Sequence, residues 1–344
     1  MAETEGIALN APVQGPAGVL NLQAPLVTAA AGVSVDSFRL NGASQWRQVA
    51  ATLPGFAARD FAVSDTAGFL RATGGAGTAA SRYVVTDAFG LQGIGSAGYA
   101  GAHYALGADI AASGTAGWNL GEGFRPIGNR GTPFSGSLDG ATAAGGRHAI
   151  SGLAQVVSSG PGGLFGIIAG ATIQNLRLLD IALEARQSFA PVAGGLVGET
   201  QAGAAPNVIE NVLVTGRIAA EMGEDSVSSA SFGGLVGLFG DGRIADARVD
   251  PGEDLLFPGH AAGLPEPERQ QDGASGKSEQ QRGEEAAHHG GSVRFRSAAG
   301  RQAGARAMGE TRKARNPAVP RLIPMSRGEG QAPSSPKAAQ RPQT

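Results

Sequence analysis

The residues of this 344-residue chain that could do polar chemistry are carboxylates, arginines and five histidines, because cysteine is absent. That absence excludes disulfides, thiolate metal sites and cysteine nucleophiles together, and leaves the compartment open. Glycoside hydrolysis needs two carboxylates facing one groove. The best such pair is Asp109 and Asp139, with His103 and His148 as bases and Arg125 or Arg147 as anion binders. Nothing in the spacing forces these six onto one face, and Asp139-Gly140 reads first as a turn and Asp109 as a polar strand residue. The histidines show no His-x-x-x-His or Glu-bearing metal spacing, and His288-His289 lies in a polar stretch. The tract Gly74-Gly75-Ala76-Gly77 lacks the Gly-Lys-Ser/Thr of a phosphate loop and reads as a turn between strands. No Gly-x-Ser-x-Gly nucleophile elbow occurs. The expectation is therefore a non-enzyme, with no catalytic, cofactor-binding or metal residue to name.

The elements that would position these groups are short and β-like. Ile7-Ala8-Leu9, Val19-Leu20-Asn21-Leu22, Val33-Ser34-Val35 and Phe38-Arg39-Leu40 alternate with period two, the spacing of strands with one buried face. Leu9, Leu22 and Val35 stand 13 residues apart, which predicts equivalent places on successive rungs of a solenoid. An antiparallel meander is the alternative, and the lack of Asn-Gly or Asp-Gly between the first three strands disfavours it. Residues 42–100 read as less regular.

From residue 162 to 250 one pattern is written three times. Gly-Gly-Leu-Phe-Gly begins at Gly162, and Gly-Gly-Leu-Val-Gly begins at Gly194 and again at Gly233. Each is followed by an aliphatic-polar-Asn/Asp-aliphatic segment: Ile173 to Leu176, Ile209 to Val212, Ile244 to Ala247. Repeats of this length are the mark of stacked folds. Glycine, at 56 residues, supplies corners where the backbone turns sharply or approaches another strand closely. Leu164, Phe165, Ile167 and Ile168, then Leu196 and Val197, then Leu235, Val236, Leu238 and Phe239 are expected to stack, so that Leu235→Asp should collapse the segment. Asn175, Asn211 and Asp246 recur at matching places, either as turn formers or as a polar ladder. The extra residues of the later copies fall in Ala202 to Asn207 and Glu221 to Ser231, expected as projecting corner loops and the first places to look for a bound partner.

The upstream motifs extend the pattern. Tyr104 to Ile110, Ser113-Gly114-Thr115-Ala116-Gly117-Trp118, Phe124-Arg125-Pro126-Ile127-Gly128, Phe134 to Gly140 and His148 to Leu153 occur in order before the repeats. This run resembles filamentous-haemagglutinin-like bacterial adhesins, and the Gly-Gly-Leu copies look like that family's GLUG motif. Phe38-Arg39-Leu40, Trp46 to Val49, Phe69 to Ala72 and Gly90 to Ile94 are similar to segments that precede it there. The resemblance covers about residues 6–250 and implies a right-handed parallel β-helix passenger exported by a two-partner or autotransporter route, with an outer-membrane transporter as partner. It also implies a role in contact with a host or neighbouring-cell receptor or glycan. The family's signal peptide and N-terminal secretion domain are not seen, and Arg147 stands where the family has Gly before His148, as a tolerated turn substitution.

The fold expected is thus all-β: a right-handed parallel β-helix (β-solenoid), with N-terminal rungs over 1–100 and the repeat-bearing helix over 101–250, followed by a disordered tail over 251–344. Charge divides at the same boundary, with 13 Arg and Lys against 19 Asp and Glu up to residue 250 and 14 against 10 beyond it. From Pro251 onward only 11 of 94 residues are Leu, Ile, Val, Phe or Met, too few to offset ordering entropy. Arg294 to Arg321 could touch anionic polymers or membranes, but no aromatic follows Phe295, so no nucleic-acid module is expected. Neither a signal peptide nor an apolar run of membrane-spanning length is legible, which leaves a cytoplasmic chain or a piece of an exported surface protein. A carbohydrate-active β-helix enzyme is the alternative function, and a truncated or frame-shifted remnant a further one.

Overall fold

The alternating segments of the sequence form strands that pair side by side in the same direction. The computed structural model describes residues 6–186, 191–220, 230–251 and 293–295. Contacts divide the chain into Met1–Ser297 and Ala298–Thr344, and every described residue lies in the first. All strand pairs between Ile7 and Pro251 are parallel. The antiparallel meander is thereby excluded for this region. The described part is all-β but for the short helix Ala88–Gly93 and two 3₁₀ turns. None of the described helices is long and apolar enough to cross a membrane.

In the N-terminal part the chain alternates between two sheets. Ile7–Leu9, Val27–Ala29, Gln45–Val49 and Gly68–Ala72 form one, and Val13–Leu22, Val33–Leu40 and Phe56–Val63 form the other. Each strand therefore pairs with the next but one. Ile7 lies beside Val27 and Leu9 beside Ala29, twenty positions on, while Leu22 lies beside Leu40. The 13-residue equivalence of Leu9, Leu22 and Val35 is thus incorrect: those residues stand on different sheets or at different registers, because one pass consumes two strands and two corners.

The same ladders run on through the stretch that reads as irregular. Val27, Trp46 and Phe69 form one column, and Phe38 pairs with Phe61 in the other sheet. Register brings the rings face to face: Trp46 on Phe69 at 5.5 Å and Phe38 on Phe61 at 5.3 Å. Phe56, Phe89 and Trp118 close on the same cluster edge-on or tilted, with Phe89 stacked on Trp118. Such ring pairs each add about 0.5–1.5 kcal/mol beyond their burial. Arg71, almost wholly buried, crosses this region. Its guanidinium bonds Asp87 at 2.7 Å, the Pro54 carbonyl at 2.9 Å and the Gln48 side chain. Asp87 in turn caps the Ala88–Gly93 helix, accepting the Gly90 N–H at 2.8 Å. The Gly74–Gly77 tract is a turn held by Ala76 N–H to Ser81 O and Val84 N–H to Gly74 O.

The long strand Thr172–Ala185 organises the second half. Ser137–Asp139, His148–Ser151 and Ala154–Val157 pair along one edge of it, and Val208–Ala220 along the other, with Arg243–Pro251 beyond. Two further ladders carry the repeats: Phe165–Ala169, Val197–Gln201 and Val236–Phe239 in one, Val192–Gly194 and Ala230–Gly233 in the other. The copies therefore stack in register, Phe165 on Val197 on Val236 and Ile173 on Ile209 on Ile244. The Gly-Gly pairs of the second and third copies serve close approach rather than left-handed turns. A Cβ on Gly194 would lie 2.1 Å from the Val197 carbonyl, and one on Gly233 1.9 Å from that of Val236.

Two expectations on this region need correction. Phe239 does not join the core: it pairs with Thr200 on the outermost strand of its ladder and is 45% exposed. Ala230 and Ser231 are strand, not loop, and residues 221–229 lie outside the described set. The expected disordered tail also lies outside it, except that Val293–Phe295 is a strand running antiparallel to Ala230–Phe232. Val-Arg-Phe there has the alternation and residue types of a strand in an otherwise polar stretch.

Leu164 and Leu196 are fully buried, whereas Leu235 is only partly so. A carboxylate at Leu196 would be buried without a partner, which costs several kcal/mol. Leu196→Asp is expected to abolish the cooperative thermal unfolding transition, while Leu235→Asp only lowers its midpoint. Circular dichroism melting of both variants checks this order, and equal midpoints would contradict it.

Candidate functional site

The strand Thr172–Ala185 positions most of the polar groups that the sequence singles out. On one register level lie Ser137–Asp139 and Gln174, and one strand-length further along lie His148–Ser151 and Leu176–Leu179. The six candidate residues do not form one cluster: some lie at these levels and Arg125 lies at neither.

Asp139, at the end of its strand and nearly buried, is saturated with donors. Its Oδ1 accepts from the Ala141 N–H and Asn175 Nδ2, both at 3.0 Å. Its Oδ2 accepts from Gln174 Nε2 at 2.8 Å and Arg82 at 3.0 Å. Burial by itself would raise the Asp139 carboxyl. The hydrogen bonds from Asn175, Ala141 and Gln174 and the Arg82 charge outweigh it, and the carboxyl sits below its ordinary range. The turn expected at Asp139-Gly140 is present in the Ala141 contact, but the side chain is structural.

Asn175 continues upward from Asp139. Its Oδ1 accepts from Asn211 Nδ2 at 2.8 Å, so Asp139, Asn175 and Asn211 are linked rung to rung. Asn175, Asn211 and Asp246 have φ of 54°, 53° and 49°, a left-handed conformation that costs most L-residues about 1–2 kcal/mol and that Asn and Asp tolerate best. Both open readings of these residues therefore hold at once: they form the corner, and the two Asn also form a ladder. The 36- and 35-residue steps between them follow the strand register.

Asp109, His148 and Arg147 do come together. Asp109 precedes the strand Ile110–Ala111 rather than lying within a continuous one, because Gly107 and Ala108 interrupt it. Its Oδ1 accepts the Ala149 N–H at 2.9 Å and lies 3.1 Å from His148 Nδ1. Those two bonds, the Ala149 one foremost, together with the His148 and Arg177 charges hold the Asp109 carboxyl below its ordinary range. With Thr142, Gly146 and Arg177 these residues line a shallow groove of about 670 Å³. Its rim is the turn Ala141–Arg147, closed by an antiparallel bridge and by the Gly146 N–H on Thr142 Oγ1 at 2.8 Å. Arg147 is more than a tolerated turn residue, since its guanidinium reaches the Asn211 carbonyl at 3.3 Å.

The remaining candidates lie elsewhere. His103 Nδ1 is 2.9 Å from Ser137 Oγ on the neighbouring strand. Arg125 pairs with Asp65, donates from its guanidinium to the Val63 carbonyl at 2.9 Å and from its backbone N–H to Gln92 Oε1 at 2.8 Å. It lines a second groove of about 450 Å³ with Asn119, Asn129 and Ser96. Among the described residues, no group of three or more His, Asp or Glu could hold a metal ion. Sequence reasoning missed Arg177 and Thr142. Arg177 was open to inference as the outward position between buried Leu176 and Leu178; Thr142 carried no signal. The corner expected at Ala202 to Asn207 is exposed over 202–206, but Asn207 is buried as a clamp. It accepts the Ala171 N–H at 3.0 Å and donates to the Gln201 carbonyl at 2.7 Å and that of Asp241 at 3.3 Å.

The ladder gives a direct test of what Asn175 supplies. Asn175→Gly keeps the left-handed corner and loses the side-chain bonds, whereas Asn175→Ala loses both. Stability in urea should fall in the order wild type, Gly, Ala, with steps of about 1 kcal/mol each. An Ala variant as stable as the Gly variant would show that the corner conformation costs nothing.

Compared with known proteins, the chain matches no protein-family profile and no solved structure. Over 180 residues, 51% of this chain, it is 34% identical to halomucin of Haloquadratum walsbyi (strain DSM 16790 / HBSQ001). It spans 2% of the length of that relative. The chain is thus similar, over about half of its own length, to a small part of a far longer protein.

Proposed function

We propose that this chain is a non-enzymatic, surface-associated protein whose strands coil as a right-handed parallel β-helix, serving as an adhesin-like stalk in contact with host or neighbouring cells. The observation that carries the reading is the in-register stacking of the three Gly-Gly-Leu copies and of their left-handed Asn/Asp corners, all on parallel strands. Parallel strands joined by successive crossovers take the right-handed turn in nearly all proteins, which supports the handedness. The likeness to halomucin supports a surface location. The resemblance to filamentous-haemagglutinin-like adhesins with GLUG-type repeats is the finer form of this proposal, and with it come export through an outer-membrane transporter and an extracellular location.

A carbohydrate-active enzyme is the second reading, favoured by the Asp109–His148 contact in an open groove. Hydrolysis of a glycoside requires one carboxyl held protonated as the general acid, which calls for a raised pKa. Asp109 and Asp139 are both shifted the other way, and they share no hydrogen-bonding partner. These features support the non-enzymatic reading.

Two measurements on the native protein test it. Surface protease treatment or antibody labelling of intact producing cells is expected to reach the chain, and the purified protein is expected to leave a panel of plant and bacterial polysaccharides uncleaved. Cleavage that Asp109→Asn or Asp139→Asn abolishes would establish the enzyme instead, and a chain wholly protected inside intact cells would end the adhesin reading.

A further inference from the structure

The groove beside Asp109 has an imbalance of charge that the fold does not use. Two arginines and a histidine line it against a single carboxylate. Asp109 Oδ1 is already occupied by the Ala149 N–H and His148 Nδ1, and its Oδ2 is 4.0 Å from Arg177 Nη2, too far for a hydrogen bond. Among the described residues, Arg177 otherwise donates only from Nε, to the Arg147 carbonyl at 3.2 Å. Among the described residues, Arg147 donates only from Nη1 of its guanidinium, to the Asn211 carbonyl at 3.3 Å, and no carboxylate lies within ion-pair distance of it. Each guanidinium offers five N–H groups in a planar fork suited to a carboxylate. Most of those ten groups are left over, on two side chains that share one groove and are tied to each other through the Arg147 carbonyl.

The rest of the groove suits hydroxyl groups. Thr142 Oγ1 accepts the Gly146 N–H and so keeps its own proton to donate. Asp109 Oδ2 is an exposed acceptor held ionised. The lining holds no Phe, Tyr, Trp or large aliphatic side chain, and the volume of about 670 Å³ exceeds what a lone ion needs and falls in the range of small-ligand sites. A polar, shallow trough with donors for a carboxylate at one part and acceptors and donors for hydroxyls at another has the chemistry of an acidic sugar.

We propose that the Asp109–Thr142–Arg147–His148–Arg177 groove is a binding site for a carboxylate-bearing glycan, a uronate residue within a polysaccharide. The carboxylate lies between the Arg147 and Arg177 guanidiniums, and Thr142 and Asp109 bond the ring hydroxyls. The proposal rests on the non-enzymatic surface reading for its biological meaning, but binding by the purified protein is separable from where the chain is found in the cell.

The test is isothermal titration of the full chain with oligogalacturonate, with neutral dextran oligosaccharide, dextran sulfate and polyglutamate as comparison probes. Saturable binding of oligogalacturonate with no binding of neutral dextran is expected. Arg147→Gln and Arg177→Gln should each weaken it by about tenfold or more, as loss of a charge-assisted hydrogen bond does. Arg59→Gln removes a surface guanidinium that Asp36 already engages, and should leave the affinity unchanged. Arg147 has a single long protein bond, so its variant is expected to keep the wild-type melting temperature even if Arg177→Gln does not. Absence of oligogalacturonate binding, equal affinity in the Arg147→Gln variant, equal loss in Arg59→Gln, or tighter binding of dextran sulfate or polyglutamate than of oligogalacturonate would each overturn the assignment.

Discussion

A parallel ladder sets each residue beside its partners about 4.8 Å away on either side, with their side chains pointing the same way. Everything described in this chain between Ile7 and Pro251 follows from that constraint. Apolar residues must meet apolar residues along each column, as Ile173, Ile209 and Ile244 do. Aromatic residues placed in register must stack, as Trp46 on Phe69 and Phe38 on Phe61 do. A polar residue at a corner must find its partner on the next pass, and Asp139, Asn175 and Asn211 satisfy one another in that way.

The same constraint decides how much of the fold could be seen in advance. The three Gly-Gly-Leu copies and the Asn175, Asn211 and Asp246 corners are legible because like residues fall at like registers. The N-terminal spacing of Leu9, Leu22 and Val35 is misleading for a matching reason. Corners vary in length, and one pass visits two sheets, so a regular interval along the chain need not be a regular place on the ladder. The aromatic cluster drew no expectation, although Phe38 and Phe61 stand 23 residues apart, as do Trp46 and Phe69: an interval shared by two pairs is too small a signal until the pairing of the strands shows it to be the register. The stretch that contains them therefore reads as irregular, although its strands are as well paired as the rest.

The polar groups show the division between scaffold and surface. Asp139, His103 and Arg125 are the kind of residues that suggest chemistry in a sequence, yet each is taken up by a neighbouring strand or turn. Asp109, Arg147 and His148 differ in lying at the mouth of a groove, where Arg177 joins them from the outer face of the long strand Thr172–Ala185. A stacked fold presents many such outward columns, and alternation leaves each of them free to change without disturbing the buried face. The basic groove is one place where that freedom has collected several donors around one trough.

Because the chain has no cysteine, its register can be read by placing single pairs of them. Gln174 lies beside Glu210, which lies beside Ala245, and the three stand in one column. Adjacent parallel strands put Cα atoms close enough for a disulfide, and strands two passes apart do not. Oxidation of a Gln174→Cys/Glu210→Cys variant is predicted to form the intramolecular disulfide rapidly, and a Gln174→Cys/Ala245→Cys variant to remain reduced under the same conditions. Equal cross-linking of the two pairs, or none in the first, would contradict the in-register parallel stack on which this account stands.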